Sequence, residues 1–257
     1  MDKLSGPGWD MAAFAVFAIV WLAYEPLLRT LARGRHVINA DMVVVRRAWM
    51  GRMVERGGVR LLDSQLIGHA LNSASFFASS NLILIAGAAG VLFGGESVWR
   101  RVAAAPLLAD GPAVLFGLKL ALVAVTLARG LLAFIWAIRQ LNYCVAAIGA
   151  APHDPAEPMA TGYAEAASAL LNPALSAFNA GVRGYYFALS AAAWMLGPAP
   201  FLIATLSATG LLAWRQAGSP AAKAVRRIRA LLDQEAAEVG GPPRISSNAK
   251  FPPDPQS

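Results

Sequence analysis

The sequence predicts an all-α protein, a polytopic transmembrane helix bundle with cytoplasmic amphipathic helices. Three observations predict this fold class. Of the 257 residues, 57% are hydrophobic and 14% are charged, whereas a soluble domain carries about 25% charged residues. Four long apolar stretches follow one another, and the first three are each long enough to cross a hydrocarbon core, which takes about 20 helical residues. An arginine-rich loop between the first two predicts the orientation.

The first predicted span covers residues 9–28 and the basic loop covers residues 29–72. Trp9, Trp21 and Tyr24 lie near the ends of the span, where amphipathic rings prefer the membrane interface. Lysine and arginine accumulate in cytoplasmic loops, so the loop is predicted to be cytoplasmic and the N-terminus to be outside. The loop holds eight arginines, which are Arg29, Arg33, Arg35, Arg46, Arg47, Arg52, Arg56 and Arg60.

Inside the basic loop, an amphipathic helix is predicted to begin at Asp41, a suitable N-cap, and to end at Gly57-Gly58. Met42, Val45 and Met53 recur at helical spacing with arginines between them. Such a helix is typical of the membrane surface, where basic residues attract anionic lipid. The predicted lipid-surface contacts are Arg46, Arg47, Arg52, Arg56 and Trp49.

The second and third spans are predicted at 73–94 and 113–138. Helical character in the third continues from Pro112 to Ile148, which at about 1.5 Å per residue gives a helix of roughly 55 Å that projects from the bilayer. Small residues recur every four positions in the second span, and small-residue patches also occur in the fourth. These patches favour either a homo-oligomer or close packing within one chain.

Five spans are favoured over four, because the last apolar stretch can be one kinked helix or two. A short helix at about 161–171 is predicted before Pro173. Two spans at 176–196 and 199–214, hinged at Gly197-Pro198, place the following basic cluster in the cytoplasm. A cytoplasmic amphipathic helix is predicted at 217–239 and a disordered tail at 240–257.

Polar and charged side chains within the spans form a candidate intramembrane site. Such groups are expensive inside a bilayer and mark function or a protein-facing surface. They have few acidic partners in the sequence, which favours an anion or a lipid headgroup as ligand. The alternative is structural, since long cations snorkel and amides join helices. The candidate residues are Arg129, Asn81, Asn72, Lys119, Arg139, Asn142, Asn179 and Arg183.

Three segments resemble the DUF599 family of bacterial and plant membrane proteins of unknown function. They are the strings LNSASFFAS at 71–79, WAIRQLNY at 136–143 and FNAGVRGYYFAL at 178–189. The resemblance covers roughly residues 8–216 and implies a multi-span layout, but no activity or substrate. The family pattern commonly has a lysine three residues before Trp136, where this chain has Ala133. Arg129 lies one helical turn earlier, and we hypothesise that it supplies that charge.

The sequence favours a small-solute channel or carrier in the cell membrane (the inner membrane if bacterial), with an anion as the best candidate. The alternative is a non-enzymatic scaffold or accessory protein that binds anionic lipid. No catalytic motif is found, so an enzyme ranks last. The three histidines are far apart, and we predict no metal and no cofactor. Bilayer lipid is the expected partner, and nucleic acid is not.

Overall fold

The computed structural model describes residues 7–31, 37–58, 60–103 and 112–238. These residues confirm the all-α prediction. Arg33, Arg35 and the predicted tail at 240–257 lie outside the described residues. The helices are α1 Pro7–Leu31, α2 Ile38–Glu55, α3 Leu61–Phe93, α4 Gly95–Ala103, α5 Ala113–Gly149, α6 Ala160–Ala193, α7 Pro198–Ala217 and α8 Pro220–Glu238.

Two of the described helices, α3 and α5, are long and apolar enough to cross a membrane. Their 33 and 37 residues correspond to about 50 and 55 Å at 1.5 Å per residue. Only 17% and 28% of their most apolar windows are buried, so neither helix is the enclosed core of a soluble bundle. The apolar part of α1, Gly8–Tyr24, is shorter. The prediction of five spans is therefore not confirmed.

Helix α6 is continuous through Pro173, and this corrects the sequence prediction. We predicted a short helix at 161–171 and a separate span that starts at 176. A proline inside a helix removes one backbone hydrogen bond, but α6 packs along α5 on one side and α2 on another. Ala167, Leu171 and Ala174 on both sides of the proline are buried in these contacts. Tertiary packing thus outweighs the local penalty.

The chain breaks between α6 and α7, as the sequence predicted for Gly197-Pro198. A 3₁₀ turn at Trp194–Leu196 ends the sixth helix. Gly197 has a φ of +115°, a backbone conformation that residues other than glycine rarely adopt. Pro198 opens α7 at a position where its missing N–H group is harmless. The last apolar stretch therefore forms two helices instead of one kinked helix.

Part of the segment between the second and third predicted spans is helical, which the sequence prediction missed. Helix α4 begins at Gly95, whose φ is +77°. Glu96 and Arg100 form an exposed ion pair one turn apart along it. At nine residues, this helix is too short to stand out as a long apolar stretch.

Two apolar clusters hold the helices together. The first, here called the basal core, joins α2, α3, α5 and α6 through buried residues such as Met53, Ile67 and Leu171. The second, here called the aromatic core, joins α1, α6 and α7. Its aromatic members are Phe17, Tyr24, Phe187, Trp194 and Phe201. The candidate site lies where α2, α6 and α7 meet between these clusters.

Candidate functional site

Helices α5 and α6 cross at very short distance, because glycines face each other there. An added Cβ at Gly184 would lie 3.1 Å from the Cα atom of Gly130, and one at Gly181 would lie 2.6 Å from a ring carbon of Phe134. The small-residue patch of the fourth predicted span therefore serves packing within this chain. On α3, by contrast, a Cβ at Gly90 would meet open space.

Asn81 brings α3 to the same crossing. Its side chain is 1% exposed, and its Nδ2 donates to the carbonyl oxygen of Leu127 at 3.0 Å. The Oδ1 atom is buried without a hydrogen-bond partner among the described residues. A buried amide oxygen without a partner is unfavourable. The hydrogen bond from Asn81 therefore links α3 to α5, and the Oδ1 atom of Asn81 remains available as an acceptor.

A small cavity of about 50 Å³ lies beside this crossing. The exposed Arg129 lines it, with its Cζ 5.1 Å from the ring centroid of Trp21 on α1. Ala133 lines the same cavity. The position where the family pattern has a lysine therefore shares a face with Arg129, as the substitution hypothesis requires. Arg183 of α6 also lines this cavity.

A larger cavity of about 240 Å³ lies where the start of α2, the middle of α6 and the end of α7 meet. A single buried water needs roughly 10–15 Å³, so this cavity has room for a solute. Its polar lining consists of three arginines, three side-chain amides and one tyrosine hydroxyl, and none of the described residues that line it is a carboxylate. These polar residues are Asn39, Arg46, Asn179, Arg183, Tyr186, Arg215 and Gln216.

Arg46 is the most buried arginine of α2, with 7% of its surface exposed. Its Nη1 donates to the Oδ1 atom of Asn172 at 3.3 Å, and its Nε has no hydrogen-bond partner in the part of the chain that the structure describes. Burial lowers the pKa of this guanidinium below its ordinary value, because desolvation disfavours the charged form. A buried cation with a neutral partner marks a position where an anion would be stabilised.

Two further arginines, Arg183 and Arg215, line the large cavity. Arg183 is 9% exposed and lies over the ring of Tyr24, 5.9 Å from its centroid. It lines both cavities and is therefore part of the wall that they share. Arg215 is exposed at the end of α7 and donates to the hydroxyl oxygen of Tyr186. The large cavity therefore reaches the surface at Arg215.

Lys119 lies apart from both cavities and has an acidic partner, which the sequence reading did not identify. Its Nζ is 3.6 Å from the Oδ1 atom of Asp10 on α1 and 5.6 Å from the ring centroid of Trp194. The indole N–H of Trp194 donates to the same carboxylate at 2.5 Å. This buried group ties α1, α5 and the 3₁₀ turn together.

Three more predicted residues are exposed and line neither cavity. Asn72 lies on the surface of α3. Arg139 donates to the hydroxyl oxygen of Tyr143 at 3.2 Å, one turn along α5. Asn142 donates to the carbonyl oxygen of Ile138 at 3.0 Å. Of the eight predicted site residues, the cavities gather Arg129, Asn179 and Arg183, and the helix crossing gathers Asn81.

The arginines predicted to contact lipid have partners within the protein. Arg47 pairs with Glu165 of α6, Arg52 with Glu235 of α8, and Arg56 with Asp63 of α3. The indole N–H of Trp49 donates to the Oδ1 atom of Asp63 at 2.7 Å. For Arg46 the structure corrects the prediction, because this side chain is buried against α6. Lipid contact by the three half-exposed arginines stays a prediction.

Sequence reasoning missed four polar residues of the large cavity: Asn39, Tyr186, Arg215 and Gln216. Arg215 follows the last apolar stretch, a position where basic residues are common for reasons of topology. The available hint was that three chain positions rich in arginine and amides, near 39–46, 179–183 and 215–216, fall at the same end of the predicted bundle. Among the described residues, no group of three or more acidic, histidine or cysteine side chains could hold a metal.

The comparisons with known proteins give one match. The sequence model described as "Protein of unknown function, DUF599" matches residues 12–221, which is most of the chain. No curated protein and no solved structure matches.

Proposed function

Since this chain belongs to the DUF599 family, we propose a function for it from its own cavities: an integral membrane protein that binds a small anion and carries it across the bilayer. The observation that carries the proposal is the arginine-lined large cavity, in which Arg46 and Arg215 contact neutral groups. Guanidinium groups left without carboxylate partners attract anions.

The membrane part of the proposal comprises five spans, α1, α3, α5, α6 and α7. Support comes from large apolar side chains exposed on these helices, since soluble monomers rarely expose extensive apolar patches. We infer that the arginine-rich segment is cytoplasmic, so that the N-terminus is outside and, with five spans, the C-terminus is in the cytoplasm. Examples of the exposed side chains are Met11, Ile19, Phe76, Ile83, Phe93, Val114, Leu132, Leu189, Ile203 and Leu206.

The transport part rests on the position of Arg183 between the two cavities. Arg183 lines both, and Arg129 extends the cationic lining to the interface of α1 and α5. Successive cations spaced along a polar path allow an anion to move stepwise, provided that each site binds weakly enough to release it. In such a path, the anion would first pass Arg183, because this residue lines both cavities.

An anion-flux measurement in proteoliposomes tests the proposal. We expect flux of at least one of chloride, nitrate and phosphate above protein-free vesicles, and a roughly tenfold or larger loss in Arg183→Met and Arg129→Met, since a charge-assisted contact contributes about 1.5–3 kcal/mol. Arg139→Met is the matched control, because Arg139 lies on the same helix as Arg129 but lines neither cavity. No flux for any anion, or an equal loss in the control, would reject the proposal.

A second candidate function is that of a scaffold that binds anionic lipid. Arg47, Arg52 and Arg56 stay 45%, 54% and 49% exposed, which lets them reach lipid phosphates. Their existing carboxylate partners make this the weaker candidate. If neutralising all three removed co-purified acidic lipid while anion flux persisted, the two functions would be separate.

A further inference from the structure

The large cavity carries an inference about the kind of anion, which rests on the function proposed above. Its two arginines with neutral partners, Arg46 and Arg215, have a formal charge of +2. Within the described ranges, Arg46 donates to the amide oxygen of Asn172, and Arg215 donates to the hydroxyl oxygen of Tyr186. A monovalent anion would balance one of these charges. A phosphate monoester, with about −1.5 to −2 charges at pH 7, balances both.

The donor chemistry points to the same class. Guanidinium groups present planar pairs of N–H donors that match the spacing of phosphate oxygens. The Nε of Arg46 is buried and has no hydrogen-bond partner among the described residues, which leaves one N–H donor of the cavity lining for a ligand. Asn179 donates to Asn39 at 3.4 Å, which is long for a hydrogen bond. Its amide therefore loses little when it turns to a phosphate oxygen.

The position of the cavity fits a phosphoryl group from either of two sources. The cavity is bounded by the first turns of α2 and the last turn of α7 and reaches the surface at the exposed Arg215. In the proposed topology this is the level of the inner-leaflet headgroups. A soluble phosphate compound can enter from the cytoplasm there, and a lipid can insert its headgroup sideways.

We propose that the large cavity is a phosphate site, in which Arg46, Arg183 and Arg215 from three helices hold one phosphoryl group. Arg46 and Arg215 neutralise its charge, and Arg183 contributes a third guanidinium beside them. The small cavity beyond Arg183 takes no part in this recognition.

The test uses the purified full-length protein with two probes. Inorganic phosphate is titrated against protein in detergent, with chloride at equal ionic strength as the comparison. Nanodiscs of neutral phosphatidylcholine, with or without phosphatidic acid, supply the lipid probe. We expect phosphate or phosphatidic acid, but not chloride, to raise the thermal midpoint. Arg46→Met and Arg215→Gln are expected to weaken that binding by at least tenfold, and Arg47→Met, its neighbour outside the cavity, is expected to leave it unchanged.

Two outcomes support the inference and assign the source: response to inorganic phosphate indicates a soluble ligand, and response only to phosphatidic acid indicates a headgroup. Stability without ligand is the second readout. Arg46→Met removes a buried cation, so the empty variant is expected to melt at the wild-type midpoint or above it. Equal binding by variants and wild type, or no response to either probe, overturns the phosphate site. If phosphate binding is absent but chloride flux still depends on Arg183, the transport proposal stands without the phosphate site. If neither phosphate binding nor anion flux is found, both proposals are rejected.

Discussion

Arginine side chains meet two different environments in this molecule. In one they meet carboxylates: Arg56 Nη2 lies 2.7 Å from Asp63, and Arg229 Nη1 lies 2.7 Å from Asp41. In the other, at the large cavity, Arg46 and Arg215 meet an amide oxygen and a hydroxyl. The residue type is the same in both.

The difference teaches that an arginine-rich sequence does not identify its own binding residues. A guanidinium with a carboxylate partner is neutralised and works as a structural link. A guanidinium held among neutral groups keeps its charge for a ligand, and its burial is unfavourable until that ligand arrives. The contacting groups of each arginine, and not the number or spacing of arginines in the sequence, distinguish structural links from candidate binding residues.

The largest effect is expected at the basal core, for Asp63→Ala. This buried carboxylate accepts from both Trp49 and Arg56, and removing one partner of a buried ion pair is strongly destabilising, by about 3–5 kcal/mol. Because Arg56 is half-exposed, we expect a destabilisation near the lower end of this range. The measurement is the free energy of unfolding in detergent. Asp63→Asn retains one acceptor oxygen and should recover part of the loss. Surface ion pairs contribute less than about 1 kcal/mol. A loss of stability within that range would contradict the view that arginines with carboxylate partners are structural links.

The crossing that shapes the cavities is the next most sensitive point. Gly181→Ala places a Cβ 2.6 Å from a ring carbon of Phe134, and such overpacking costs about 1–3 kcal/mol. We expect reduced stability together with reduced anion flux, because the α5–α6 distance must grow. Gly117→Ala on α5 is the control, since a Cβ there meets open space. Wild-type stability and flux in Gly181→Ala would mean that the close crossing is dispensable.

The smallest effect is expected for Glu235→Gln, which breaks the exposed pair with Arg52. The two side chains are 58% and 54% exposed, and such pairs contribute about 0–1 kcal/mol. The difference from wild type should disappear near 1 M salt, where the screening length falls to about 3 Å. An effect as large as that of Asp63→Ala would show that α8 is anchored mainly by this contact.

Several features of the fold follow from the apolar period and from helix breakers, which are local signals. Examples are the long run of α5, the break at Gly197 and the amphipathic α8. The continuity of α6 through Pro173 does not follow from them, since contacts with α2 and α5 stabilise it. Arg129, Asn179 and Arg183 were predicted site residues and line the cavities, and their role stays a prediction. Arg215 and the pairing of Lys119 with Asp10 were missed, because both depend on contacts between distant helices.

By itself, the sequence determined the helical class, the family and the apolar character of α3 and α5, because these depend on residue type and spacing along one helix. Only the tertiary structure decided which charges are neutralised and which line a cavity. The reason is that Coulomb energy and desolvation depend on distances of a few ångströms between side chains. Asn172 beside Arg46 is 126 positions away in the chain, and no local pattern encodes that approach.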